Sequence, residues 1–110
     1  MTQQYLAGEV SLLLGQLQAA MTDEASVVKV AHLRRRIETG PRSALASVVA
    51  RALDVADWAC WDSLARGDAS AFIRQAAVGA ELWEFGICGG LLPTASPMPG
   101  TFQSLPTLCF

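Results

Sequence analysis

The stretch Ala56–Gly90, ADWACWDSLARGDASAFIRQAAVGAELWEFGICGG, decides the fold. It holds all three tryptophans and two of the three cysteines of a 110-residue chain. At its centre stands Gly67-Asp68, a glycine that ends one helical pattern and an aspartate that starts the next. Apolar residues recur on both sides at steps of three and four, the period of an α-helix. The stretch reads as a helical hairpin. The question it raises is whether its aromatic and acidic residues form a working site or only an interior.

Outward from the hairpin, its two arms span about Ala44 to Arg66 and about Ala69 to Ile87, with Ser43 as the expected cap of the first arm. Two further segments have the same period. One runs from about Gln4 to Met21, with Leu6, Val10, Leu13 and Leu17 on one stripe. The other runs from about Glu24 to Thr39, with Val27, Val30, Leu33 and Ile37 on its stripe and Thr22 or Asp23 as cap. Gly40-Pro41 ends it, because proline cannot continue the hydrogen-bond ladder. After Gly89-Gly90 the segment LLPTASPMPGTFQSLPTLCF carries four of the five prolines and no charged side chain. Prolines at that density exclude a long helix or a central strand. The expected fold is all-α: an antiparallel bundle of about four helices over residues 1–90, followed by a Pro-rich, disordered tail over residues 91–110. The tail's Leu, Met and Phe side chains are able to lie against the bundle.

Composition narrows the function. Apolar residues make up 52% of the chain and charged residues 16%, so a 110-residue monomer leaves much apolar surface to cover. Self-association as a homodimer, or a protein partner, is the expected remedy. A formal charge of −2 disfavours nucleic acid as partner, since nucleic-acid binding needs a basic face to displace counterions. No membrane span is expected, because Glu9, Arg51, Asp54 and Asp57 interrupt the most apolar stretches. The N-terminal run lacks a preceding basic region, which argues against a secretory signal. Cys60, Cys88 and Cys109 follow no metal spacing, and their odd number fits a reducing cytoplasm. Cys60 and Cys88 are read as small buried apolar residues.

At ~100° per residue, the first arm of the hairpin places Leu45, Val49, Leu53, Ala56, Cys60 and Leu64 on one face. Trp58 and Trp61 fall opposite, among Ser47, Arg51, Asp54 and Asp62. The second arm has two apolar sides. Ala69, Phe72, Ile73, Ala76, Ala80, Trp83 and Ile87 form a continuous core face; Ala71, Val78, Leu82 and Phe85 form a second stripe. Trp58, Trp61, Val78, Leu82 and Phe85 are therefore the candidate interface to a partner chain, since tryptophan is enriched among interface anchors. In the first helix Gly8, Ser11 and Gly15 make a small-residue strip suited to close packing against another helix.

The acidic pairs are the one catalytic-looking feature. Asp54 and Asp57 are three apart in the first arm, Glu81 and Glu84 three apart in the second. Reflection about Gly67-Asp68 brings Asp54 level with Glu81, and four carboxylates there are able to hold Mg²⁺ or Mn²⁺. This pairing resembles the all-α nucleotide pyrophosphohydrolases, whose helices carry E-x-x-E and E-x-x-D metal motifs. The resemblance implies a metal-dependent enzyme as the alternative function. Here the pairs read D-x-x-D and E-x-x-E, and no basic set for phosphates accompanies them. Carboxylates solvated beside Arg51 or Arg74 need no metal, and the leading expectation is no cofactor.

The cluster HLRRRIE, His32 to Glu38, puts Arg34, Arg35 and Arg36 near a helix C-terminus, where cations favour the macrodipole. His32, the single histidine, lies beside Arg36 on the polar side, far in sequence from the cysteines. The Gly89-Gly90 junction, followed by Thr94, Ser96, Thr101, Ser104, Thr107 and Cys109, looks like the leader and core of a modified peptide cut near Gly90. That is a second alternative. The helical part, with CWDSLARGDASAFIRQAAVGAELWEFGICGGLL, is similar to small uncharacterised helical proteins of high-GC actinobacteria, a resemblance that implies a compact domain and no activity. The leading expectation is a cytoplasmic, non-enzymatic interaction module.

Overall fold

The computed structural model describes residues 3–103, and the described chain is all-helical. Its elements are α1 (Gln3–Ala20), α2 (Glu24–Thr39), α3 (Leu45–Ala65), α4 (Ala69–Cys88) and a short α5 (Gly100–Gln103), with a 3₁₀ turn at Arg42–Ala44. The four long helices begin and end within about two residues of the sequence expectation. Local chemistry explains that. Asp23 accepts a hydrogen bond from the Ser26 amide at 2.9 Å, and Asp68 accepts one from the Ala71 amide at 3.1 Å, so each aspartate satisfies an orphan donor of its helix. Ser43 does not cap α3. The chain enters α3 through the 3₁₀ turn, and Ala44 occupies the cap position with no side-chain bond.

α3 and α4 form the most extensive helix pair; α1 packs on α2 and α4, and α2 packs on α3. Gly67 (φ 73°) makes the turn between α3 and α4, with the Asp68 amide bonded to the Ser63 carbonyl and the Gly67 amide to the Leu64 carbonyl. This is a Schellman turn, and its left-handed position favours glycine. The core joins Leu6, Val10, Leu14 and Leu17 of α1 with Val30 and Leu33 of α2, Val48, Val49, Leu53 and Cys60 of α3, and Phe72, Ala76 and Leu82 of α4.

Within that core is a polar link. Ser63 Oγ donates to Gln75 Oε1 at 2.8 Å, and Gln75 Nε2 donates to the Ala20 carbonyl at 3.1 Å. Both side chains are fully buried. The buried faces are accordingly displaced from the purely apolar stripes. On α3 the last turn buries Ser63 and leaves Leu64 45% exposed; on α4 Gln75, Gly79 and Gly86 are buried while Ile73 is exposed.

The tail departs furthest from expectation. Residues 91–103 fold back along the α3–α4 seam instead of extending away. Gly90 (φ 73°) forms a second Schellman turn, with the Leu91 amide bonded to the Gly86 carbonyl and the Gly90 amide to the Ile87 carbonyl. Leu92 then packs where Gly86 has no side chain, the Ser96 carbonyl accepts from Trp83 Nε1 at 3.3 Å, and Thr101 Oγ1 donates to Asp57. Phe102 is 1% exposed, and its ring lies on Gly79 in the space that a β-carbon would take. Ser104, Thr107 and Cys109 lie outside the described residues.

The Phe102–Gly79 contact predicts a change of sign. In the wild-type background Gly79→Ala overpacks the seam and destabilises by ~1–3 kcal/mol. With the ring removed by Phe102→Ala, the same change is neutral or stabilising by up to ~1 kcal/mol, because alanine is the better helix former. Urea unfolding of the four chains measures both; an equal cost in the two backgrounds would place the ring elsewhere.

Candidate functional site

Two observations converge on the outer side of α3. First, Trp58 and Trp61 are 50% and 62% exposed, as their position opposite the core stripe predicts. Second, Trp58 forms one wall of a groove of about 520 Å³ between α2 and α3. Leu33 and Val55 line its apolar part, and Val28, itself 60% exposed, completes it from α2. Lys29, His32, Arg51 and Asp54 supply its polar lining. Lys29 Nζ stands 5.5 Å from the centroid of the Trp58 ring, within cation–π range. The site is thus an aromatic wall with an apolar floor and a rim richer in basic than in acidic groups.

The five residues expected to make one interface do not share one surface. Leu82 is fully buried in the core and presents nothing outward. Val78 lines a separate shallow groove with Gln16, Ala19 and Arg74, between α1 and α4. Phe85 is half-buried against the core. Trp58 and Trp61 remain, and the residues that join Trp58 are Val28 and Lys29, which helical periodicity alone does not single out. Their signal is present in part: Val28 is an exposed valine beside the α2 core stripe of Val27 and Val30.

The small-residue strip of α1 is uncovered. Nothing lies within 4 Å of a β-carbon built at Gly8, and Gly15 meets only the Arg34 guanidinium. Leu12, on the same flank, is 58% exposed.

The acidic pairs are dispersed in their bonding. Asp54, Glu81 and Glu84 are exposed, whereas Asp57 is engaged by Thr101. Among the described residues no group of three or more His, Cys, Asp or Glu side chains is arranged to hold a metal ion. The basic cluster is partly tied down: Arg34 Nη1 donates to Gln18 Oε1 at 2.9 Å, joining α2 to α1. No described helix is long and apolar enough to cross a membrane.

The two described cysteines differ. Cys88 is exposed, against expectation, because it occupies the last turn of α4 outside the seam. Cys60 is fully buried. Burial pushes its thiol up to about 11, the Asp57 carboxylate adds to the rise, and a hydrogen bond with the Thr101 side chain acts the other way. A thiol so placed holds its proton at neutral pH and is no nucleophile.

No protein-family model, curated protein or solved structure matches this chain. The likenesses to all-α nucleotide pyrophosphohydrolases and to small actinobacterial helical proteins therefore gain no support from them.

The Cys60 environment predicts a pH dependence. In the unfolded chain the thiol ionises near its ordinary value of 9.0, while in the fold it keeps its proton to about 11. The unfolded state therefore loses its proton first as the pH rises. The stabilisation is fully present below pH 9 and is lost as the pH climbs toward 11. Urea midpoints of the wild type and Cys60→Ala, compared at about pH 8 and about pH 10.5, read this directly. The wild-type advantage shrinks at the higher pH, and a constant advantage would mean that the thiol is open to solvent.

Proposed function

We propose that this chain is a non-enzymatic protein–protein interaction module: an antiparallel four-helix bundle that self-associates through the outer side of α3. The observation that carries this reading is the exposure of two adjacent indoles, Trp58 and Trp61, on a helix whose opposite side is fully packed. An indole left in water forgoes on the order of 2 kcal/mol of burial, and two side by side make an anchor pair. Lys29, Arg51, Asp54 and Asp62 surround them and would form the polar rim that interfaces place around such anchors. A cytoplasmic setting belongs to the same reading, supported by the odd number of cysteines in the chain.

Sedimentation equilibrium tests the proposal. Trp58→Ala and Trp61→Ala each weaken association at least tenfold, about 1.4 kcal/mol. Trp61→Ala moves monomer stability by only ~0.5 kcal/mol, whereas Trp58→Ala costs more because half of its indole is covered within the chain. A wild-type monomer at all concentrations, with both indoles shielded from acrylamide quenching, would sink it.

A further inference from the structure

The geometry points to a second copy of this chain as the occupant of the α2–α3 groove, with Trp61 of each copy seated in the groove of the other. This rests on the self-association proposed above and specifies how the two copies meet.

Knob and hole lie next to each other. Trp61, the most exposed of the large apolar side chains among the described residues, stands about one helical turn beyond Trp58 on α3. Trp58 is itself a wall of the groove. A protruding indole and a cavity with an apolar floor therefore occupy the same side of the same helix. A two-fold interface needs a surface that complements itself, so that residue i meets j while j meets i. A knob beside a hole satisfies that condition, and a two-fold rotation makes the contact twice. The groove, at about 520 Å³, has room for an indole, and its walls Val28 and Trp58 are at least half exposed. A small ligand there would remain largely in water. A helix laid along the groove covers both walls.

Charge is compatible with the same occupant. α2 carries Lys29, Arg34, Arg35 and Arg36 against Glu24 and Glu38, whereas α3 carries Asp54, Asp57 and Asp62 against Arg51. An incoming α3, with more carboxylates than basic groups, meets a groove whose polar lining is Lys29, His32 and Arg51 against the single acid Asp54. Two copies of α2 facing each other would instead oppose like charges. Of the acids beside Trp61, Asp62 is ion-paired with Arg66 at 2.9 Å and Asp57 accepts from Thr101, so the knob arrives with its neighbouring carboxylates engaged within its own chain.

Complementation between two variants tests this arrangement. Trp61→Ala keeps the groove and loses the knob; Val28→Glu keeps the knob and sets a carboxylate at the mouth of the groove. Both positions are exposed, so neither change disturbs the core. Each variant alone associates at least tenfold more weakly than the wild type. Mixed, they regain one of the two contacts, so fluorescein-labelled Trp61→Ala binds Val28→Glu more tightly than it binds itself in an anisotropy titration. Raising NaCl from about 50 to 500 mM weakens the wild-type dimer several-fold, because the rim charges are screened. Leu12→Ala, on α1, leaves association unchanged. If Trp61→Ala weakens the dimer but the mixture is no tighter than either variant alone, the knob-in-groove contact is overturned and the interaction reading stands. If the wild type is monomeric, both fall together. Loss of association with Leu12→Ala would move the interface to α1 and overturn the contact proposed here.

Discussion

The side-chain amide of Gln75 holds three helices to one another. Its nitrogen donates to the carbonyl of Ala20, the last residue of α1, and its oxygen accepts from Ser63 of α3. The Ala20 carbonyl is one of the four that an α-helix leaves without an internal partner, and here it ends inside the protein. Left unpaired in that setting it would cost about 1–3 kcal/mol. Sliding α3 along α4, or withdrawing the end of α1, breaks at least one of these bonds without water to replace it. Apolar contacts alone tolerate such slippage. The buried amide does not, so it fixes the register of the α3–α4 pair and the depth of α1.

With that register fixed, the residues one and three turns beyond Gln75 on the same face of α4 are Gly79 and Gly86. Neither carries a side chain to fill the seam with α3. Phe102 and Leu92 fill it from the returning tail. The double glycine at the end of α4 has a geometric role in this: Gly90 takes the positive φ that reverses the chain over the helix it has just left. The junction that resembles a processing site is thus a turn with a structural requirement of its own. Cleavage there would remove Phe102 from the core and empty the space above Gly79.

The helices are legible in the sequence because their signals are local. The caps Asp23 and Asp68 and the breaks at Gly40 and Gly67 act within one turn, and the period of apolar residues is intrinsic to each helix. Sequence misleads where burial is conferred from a distance. Hydropathy puts Phe72, Ile73, Ala76 and Trp83 on the core face of α4, and all but Ile73 pack there, but the residues facing α3 and the tail also include Gln75, Gly79 and Gly86, none of them a large apolar side chain. The same reasoning turns Leu82 outward, and it is wholly enclosed. Proline density makes the tail read as disordered, yet it speaks to the absence of regular elements, not to the absence of a place to dock. At the candidate site, the outward position of Trp58 and Trp61 follows from angular arithmetic on one helix. The groove does not, because it depends on which flank of α2 meets α3, and only the fold brings Val28 and Lys29 beside Trp58.

The chain has apolar residues in its tail and two uncovered indoles on its surface, yet the tail covers the glycine seam. The shapes explain the choice. The seam over Gly79 and Gly86 is concave, so a single ring such as Phe102 loses nearly all its exposure there, worth roughly 1.5–3 kcal/mol. The outer side of α3 is convex. A short extended segment crossing it would touch each indole on one edge and leave the rest wet. Burying a convex aromatic pair well requires a body with its own concavity, wide enough to admit an indole. The α2–α3 groove is such a concavity on the same side of α3 as the indoles, so the proposed second copy would cover what residues 91–103 leave open.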